Sequence, residues 1–154
     1  MEPVARFKDE HAWIRREMGV IESLLADDVL DRPDELRERL RALWIFLLRH
    51  ERLEEEWMAG AWMRPPAVVS DREKELSHRE HGEIISVLDS LGKMLAHFDG
   101  PYHGGPMPPA DRRTVLATVE GLFRFVREHL EREDREMLGR PANAARPAAA
   151  SGRS

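Results

Sequence analysis

The sequence predicts an all-α protein, an antiparallel up-down-up-down four-helix bundle. Three observations lead there. The prolines (Pro3, Pro33, Pro65, Pro66, Pro101, Pro106, Pro108, Pro109, Pro141 and Pro147) bound four long intervals without entering them, and proline inside a helix would remove a hydrogen bond and clash with the preceding turn. Within each interval, apolar residues recur at alternating steps of four and three, which keeps them on one helical stripe. The connections are short, and short connections make consecutive helices antiparallel neighbours.

The elements follow in order. The first helix is expected over about residues 5–28, with the stripe Phe7, His11, Ile14, Met18, Ile21 and Leu25. The second, about 33–59, starts at Pro33, a residue preset for a first helical turn, with Asp34 and Glu35 at its positive end. Its stripe is Leu36, Leu40, Leu43, Leu47, His50 and Glu54. The third, about 71–98, opens on Ser70 and Glu73, a capping-box pair. Its stripe is Ser77, His81, Ile84, Leu88, Leu91, Leu95 and Phe98, and Asp99-Gly100-Pro101 ends it. A Gly/Pro-rich loop, Gly100–Pro109, carries Tyr102 and His103 and leads to the fourth helix, about 110–138. Its stripe is Val115, Val119, Leu122, Val126, His129 and Glu133, and Gly139 with Pro141 ends it. The bundle is thus one domain over 5–139. Residues 140–154, rich in alanine with Pro, Asn, Ser and Arg, are expected to form a disordered tail outside the core. Gly82 and Gly121 lie inside helices, where a missing Cβ would allow close backbone approach.

Composition narrows the function. Lys plus Arg is 24 against 29 for Asp plus Glu, a net charge of −5 with no basic block, so nucleic acid is not an expected partner. The absence of cysteine excludes disulfides, thiolate nucleophiles and cysteine-held metal clusters. The longest apolar run, Ala42 to Leu48, is too short for a bilayer, and Met1 to Glu10 has no apolar signal-peptide core. A cytoplasmic location with no membrane partner is expected.

The chemistry lies in a motif that occurs twice. Glu10-His11-Ala12-Trp13-Ile14 precedes His50-Glu51-Arg52-Leu53-Glu54, and Glu80-His81-Gly82-Glu83-Ile84 precedes His129-Leu130-Glu131-Arg132-Glu133. In an antiparallel bundle the starts of the odd helices meet the ends of the even ones. His11, His50, Glu54, His81, His129 and Glu133 are therefore expected to gather at one end of the core, with the other end apolar. A histidine and a glutamate four residues apart share a helix face. Imidazole and carboxylate suit iron, manganese or zinc, and two carboxylates can bridge a pair of ions about 3.5–4 Å apart. One such His–Glu pair alone would be read as a surface ion pair. Two copies, each completed by a further stripe histidine, favour metal, because an unpartnered buried polar group costs about 1–3 kcal/mol and a buried carboxylate more. Trp57 follows Glu54 on the same stripe, as a core aromatic or as a lid against water. Glu51, Glu55, Glu80 and Asp134 sit beside the ligand positions, on a solvated face or hydrogen-bonded to the ligands.

This arrangement resembles the hemerythrin-like, or HHE cation-binding, family over roughly residues 5–139, through His11, His50 with Glu54, His81, and His129 with Glu133. The resemblance implies a bundle around two non-haem iron ions. His11, His50, His81 and His129 would be terminal ligands, and Glu54 and Glu133 would bridge. Manganese or a mixed iron–manganese pair satisfies the same ligand chemistry. The oxygen-carrying members have a further histidine one turn before the third-helix ligand, where this chain has Ser77, with His78 beside it but off the stripe. That departure is closer to the branch linked to nitric oxide and iron repair, although those repair proteins add a cysteine-bearing region and this chain has no cysteine. The implied partner is a small diatomic ligand, oxygen or nitric oxide, or peroxide. Ile14, Leu47, Ile84 and Val126 would limit water beside the metals. Carrier, sensor and redox catalyst all follow from this ligand set. The alternatives are an iron-binding storage or sensor module without turnover, and a metal-free interaction module in which the His–Glu layer specifies packing. The sequence leaves the oligomeric state open.

Overall fold

The computed structural model describes residues 3–26, 33–60, 69–97, 108–136 and 138. Four helices account for nearly all of them: α1 (Pro3–Ala26), α2 (Pro33–Met58), α3 (Asp71–His97) and α4 (Pro109–Glu136). Consecutive helices pack against each other and α4 returns to α1, closing the bundle. There is no strand among the described residues. The expected ends hold to within about two residues, the usual uncertainty of a fraying terminus. The Gly100–Pro109 loop up to residue 107, with Phe98, Tyr102 and His103, lies outside the described residues, as do the His97 side chain, the Gly139–Pro141 stop and the 140–154 tail.

Local chemistry sets the helix ends. At the start of α3, the Ser70 amide donates to Glu73 Oε2 at 2.7 Å and the Glu73 amide donates to Ser70 Oγ at 3.2 Å. This reciprocal cap satisfies two amides that have no partner inside the helix and contributes about 1 kcal/mol. α2 ends on Gly60, at a φ of 78°, a conformation open to a residue without Cβ. α4 closes with the Leu138 amide donating back to the Glu133 carbonyl at 2.9 Å, a six-residue C-terminal cap that turns Leu138 into the core. A Cβ added at Gly82 or Gly121 would meet nothing within 4 Å, so neither glycine serves a close approach.

The stripes form the core. Ile14, Met18, Ile21, Leu36, Leu43, Leu47, Ile84, Leu91, Leu95, Val115, Val119 and Val126 are all buried in one apolar cluster, and Leu25 packs against it half-buried. A second, smaller cluster of Phe7, Trp57, Met58, Val69 and Leu138 lies apart from the first. The polar layer is therefore an interior layer with apolar packing on both sides, rather than the open end of the bundle. Val69, Met58 and Leu138 supply the second cluster from helix ends and connections, off the helical stripes.

Candidate metal centre

His11 on α1, His50 and Glu54 on α2, His81 on α3, and His129 and Glu133 on α4 converge in this layer, each buried. Two overlapping groups result: His11, His50, Glu54 and Glu133, and Glu54, His81, His129 and Glu133. Within each, the potential ligand atoms lie within 4.8 Å of one another. All six residues expected from the sequence are thus brought together, two histidines per group with both glutamates shared.

Each carboxylate turns its two oxygens toward different histidines. Glu54 presents Oε1 to His11 Nε2 at 3.4 Å and to His50 Nε2 at 3.5 Å, and Oε2 to His81 Nε2 at 3.6 Å. Glu133 presents Oε2 to His11 Nε2 at 3.6 Å, and Oε1 to His129 Nε2 at 3.1 Å and His81 Nε2 at 3.7 Å. Most of these separations are too long for hydrogen bonds. They lie at or slightly beyond the edges of a coordination polyhedron, since bonds of about 2.0–2.2 Å to a first-row metal place adjacent ligand atoms roughly 3–3.5 Å apart.

The hydrogen bonding supports the same fit. Both oxygens of Glu54, Oε2 of Glu133 and Nε2 of His81 are buried and make no hydrogen bond, although buried polar atoms almost always find a partner. His11 Nε2 and His50 Nε2 face each other at 3.0 Å. Two lone pairs aimed at each other repel, and a cation between these atoms and the carboxylates resolves the repulsion. Burial first, and then the charge of Glu133, push the Glu54 carboxyl well above the ordinary carboxylate range. Two buried carboxylates at this distance resist ionising together unless a cation joins them.

A ring of acidic residues holds the histidines from behind. Glu10, one residue before His11, accepts from His50 Nδ1 at 2.8 Å. Glu80, one residue before His81, accepts from His129 Nδ1 at 2.7 Å. Asp134, one residue after Glu133, accepts from His11 Nδ1 at 2.8 Å. With Nδ1 donating, each of these rings directs the Nε2 lone pair inward, the tautomer that a metal ligand requires. Arginines fix the carboxylates in turn: Arg6 donates to Glu10 at 2.9 Å, Arg15 to Asp134 at 2.6 Å, and Arg132 to Glu80. Partial burial works to raise Glu10 and Glu80, but hydrogen bonds from their histidine and arginine partners prevail and hold both carboxyls low, and hence ionised.

The fourth histidine differs. Glu55, one residue after Glu54, lies 3.7 Å from His81 Nδ1 but is bonded by His78 Nδ1 at 2.8 Å. His81 Nδ1 is left buried without a hydrogen bond. Ser77, at the stripe position one turn before His81, donates to Glu133 Oε1 at 3.0 Å. Phe7 occupies the matching place in the first half and packs edge-on against His50, with ring centroids 5.9 Å apart. Trp57 lies 5.5 Å from Phe7 in the second apolar cluster, so its core packing also covers that side of the polar layer.

The sequence left Glu80, Asp134, Glu51 and Glu55 undecided between solvent and ligand contact, and Glu10 entered only as part of the motif. The available signal was the doubled Glu-His dipeptide, which places a carboxylate opposite the histidine of the following helix in both halves. Glu51 is buried, which its charge did not suggest. Desolvation first, then the charges of Glu54, Glu133 and Glu55, raise its carboxyl to about 9.

No described helix is long and apolar enough to cross a membrane. No curated protein and no solved structure gives a significant match. The family model for the hemerythrin HHE cation binding domain matches residues 2–140, a span that contains every residue of the layer. On that match and this ligand geometry, the chain belongs to the hemerythrin HHE cation-binding family.

Proposed function

We propose that the chain is a non-haem di-iron protein that binds or reacts with a small oxidant: oxygen, nitric oxide or peroxide. The observation that carries this is the pair of overlapping buried His₂Glu₂ groups, in which each glutamate turns one oxygen toward each group. His11 and His50 would hold one ion, His81 and His129 the other, and Glu54 and Glu133 would span both. Bound iron would supply the electrons and the open coordination positions for the small molecule. The chain does the rest. Glu10, Asp134 and Glu80 orient the imidazoles, and their arginine partners keep those carboxylates in place. Ile14, Leu47, Ile84 and Val126 on one side, with Phe7 and Trp57 on the other, exclude bulk water from the layer. A dry site strengthens every charge interaction inside it.

Rapid mixing of the reduced, iron-loaded protein with oxygen tests the reading. An adduct that reverses under vacuum indicates a carrier or sensor, and irreversible oxidation indicates redox turnover. Iron that stays reduced in the presence of oxygen, nitric oxide and peroxide overturns oxidant chemistry and leaves the storage or sensing module.

A further inference from the structure

The apolar half of the bundle, away from the polar layer, holds a cleft of about 290 Å³ between α2 and α3. Leu40 of α2 and Leu88 and Leu95 of α3, all buried, line it with core hydrocarbon. Its α3 wall runs from Leu88 to Ala96, about 12 Å of helix, a length that suits a chain. At about 30 Å³ for a water-sized group, the cleft has room for roughly ten non-hydrogen atoms.

Three features of its wall are not explained by bundle packing. Gly92 lies inside α3, where glycine is destabilising relative to alanine, yet a Cβ there would meet nothing within 4 Å. The indole Nε1 of Trp44 is buried and makes no hydrogen bond, although a buried indole N–H ordinarily finds a partner. Arg41, one turn before Trp44 on the same helix face, is exposed and pairs with no carboxylate among the described residues. Lys93 already holds the one acid that lines the cleft, Asp89, at 2.6 Å. The charge of Arg41 is therefore left uncompensated, in a chain whose net charge is −5.

We infer that this cleft binds a free straight-chain fatty acid of about eight carbons, whose carbons and two oxygens fill the roughly ten-atom space. The tail lies along Leu40, Gly92 and Leu95, where it leaves water. The carboxylate accepts from the Arg41 guanidinium and from Trp44 Nε1–H, charge-assisted bonds that a cationic head could not make. None of these residues belongs to the polar layer, so the inference stands or falls separately from the metal-binding reading.

The test is calorimetry of octanoate binding to the full chain, in the wild type, Gly92→Leu, Arg41→Gln and Trp44→Phe, with circular dichroism to check folding. One octanoate per wild-type chain is expected. Gly92→Leu fills the cleft and should abolish binding. Arg41→Gln should weaken it about 10-fold or more and Trp44→Phe about 5-fold, the losses expected for a charged and a single hydrogen-bond donor. Octylammonium should bind at least about 10-fold more weakly than octanoate. No saturable uptake by the wild type, or uptake unchanged in a folded Gly92→Leu chain, would overturn the inference. So would a dimer, seen by sedimentation, that excludes octanoate and that Gly92→Leu dissociates, because a second copy would then fill the cleft. If Gly92→Leu loses its helical signal, the other two variants decide, and unchanged octanoate affinity in both overturns the inference.

Discussion

The two halves of the molecule, α1–α2 and α3–α4, carry the same motif but complete it differently. His11 and His50 are both fixed from behind, by Asp134 and Glu10. His129 is fixed by Glu80, whereas His81 loses Glu55 to His78. Phe7 shields the first half where the second has Ser77, and Glu51 is buried in the first where the second has Leu130. The shared features, four imidazoles and two bridging carboxylates, are those that holding a pair of cations requires. On the proposed reading, the unshared ones would adjust how firmly each cation is held. Duplication thus supplies the site, and the departures from it supply the asymmetry.

The largest expected effect comes from removing what the halves share. His50→Ala combined with His129→Ala should abolish binding of both ions, measured by metal analysis. Chelation should lower the melting temperature of the wild type and not that of the double variant. A site filled at a thousand times its Kd adds about 4 kcal/mol of stability, and chelation removes it.

The acidic ring comes next. Glu10→Ala, Glu80→Ala and Asp134→Ala should each weaken metal affinity about 10–100-fold. Glu55→Ala should weaken it far less, since His78 already holds that carboxylate. Equal losses at all four positions would break the comparison. A gain in affinity in His78→Ala, as Glu55 is released to His81, would sharpen it.

Glu51 against Leu130 gives a pH signature in the metal-free protein. Burial holds the Glu51 carboxyl at about 9 in the folded state, against an ordinary value of 4.5. Below about 4.5 both folded and unfolded chains keep the proton, so pH has no effect through this group. Between there and about 9 the unfolded chain releases it first, so stability falls as pH rises. Denaturant titrations across that window should show a shallower slope in Glu51→Gln than in the wild type.

The smallest effects are local. Ser77→Ala removes a buried hydrogen bond to Glu133 and should cost about 1–3 kcal/mol. Ser70→Ala removes the α3 cap, which takes no part in the polar layer, and should cost about 1 kcal/mol without changing metal stoichiometry.

Much of this was legible in the sequence because it depends on spacing. Steps of four and three placed Ile14, Leu47, Ile84 and Val126 in the core, and antiparallel order alone gathered His11, His50, Glu54, His81, His129 and Glu133. What spacing does not encode is the direction of a charged side chain beside the stripe. Glu10 and Glu80 turn toward a histidine on the neighbouring helix, an inter-helix fact; Arg132 of α4 holds Glu80 across helices, whereas Arg6 holds Glu10 from one turn earlier on α1. Glu51 and Glu55 occupy the same side of α2, yet one is buried and the other exposed, which depends on how α3 lies over them. The second apolar cluster was hidden for the same reason, since Val69 and Leu138 reach it through helix caps rather than through helical periodicity.

The most direct measurement is the metal content of protein purified without chelator, compared with the His50→Ala, His129→Ala double variant prepared identically. Two iron ions per wild-type chain and none in the variant is the expected result. A wild-type chain that carries no more metal than the variant, yet folds as stably, would contradict the account and leave the buried His–Glu layer as a packing network.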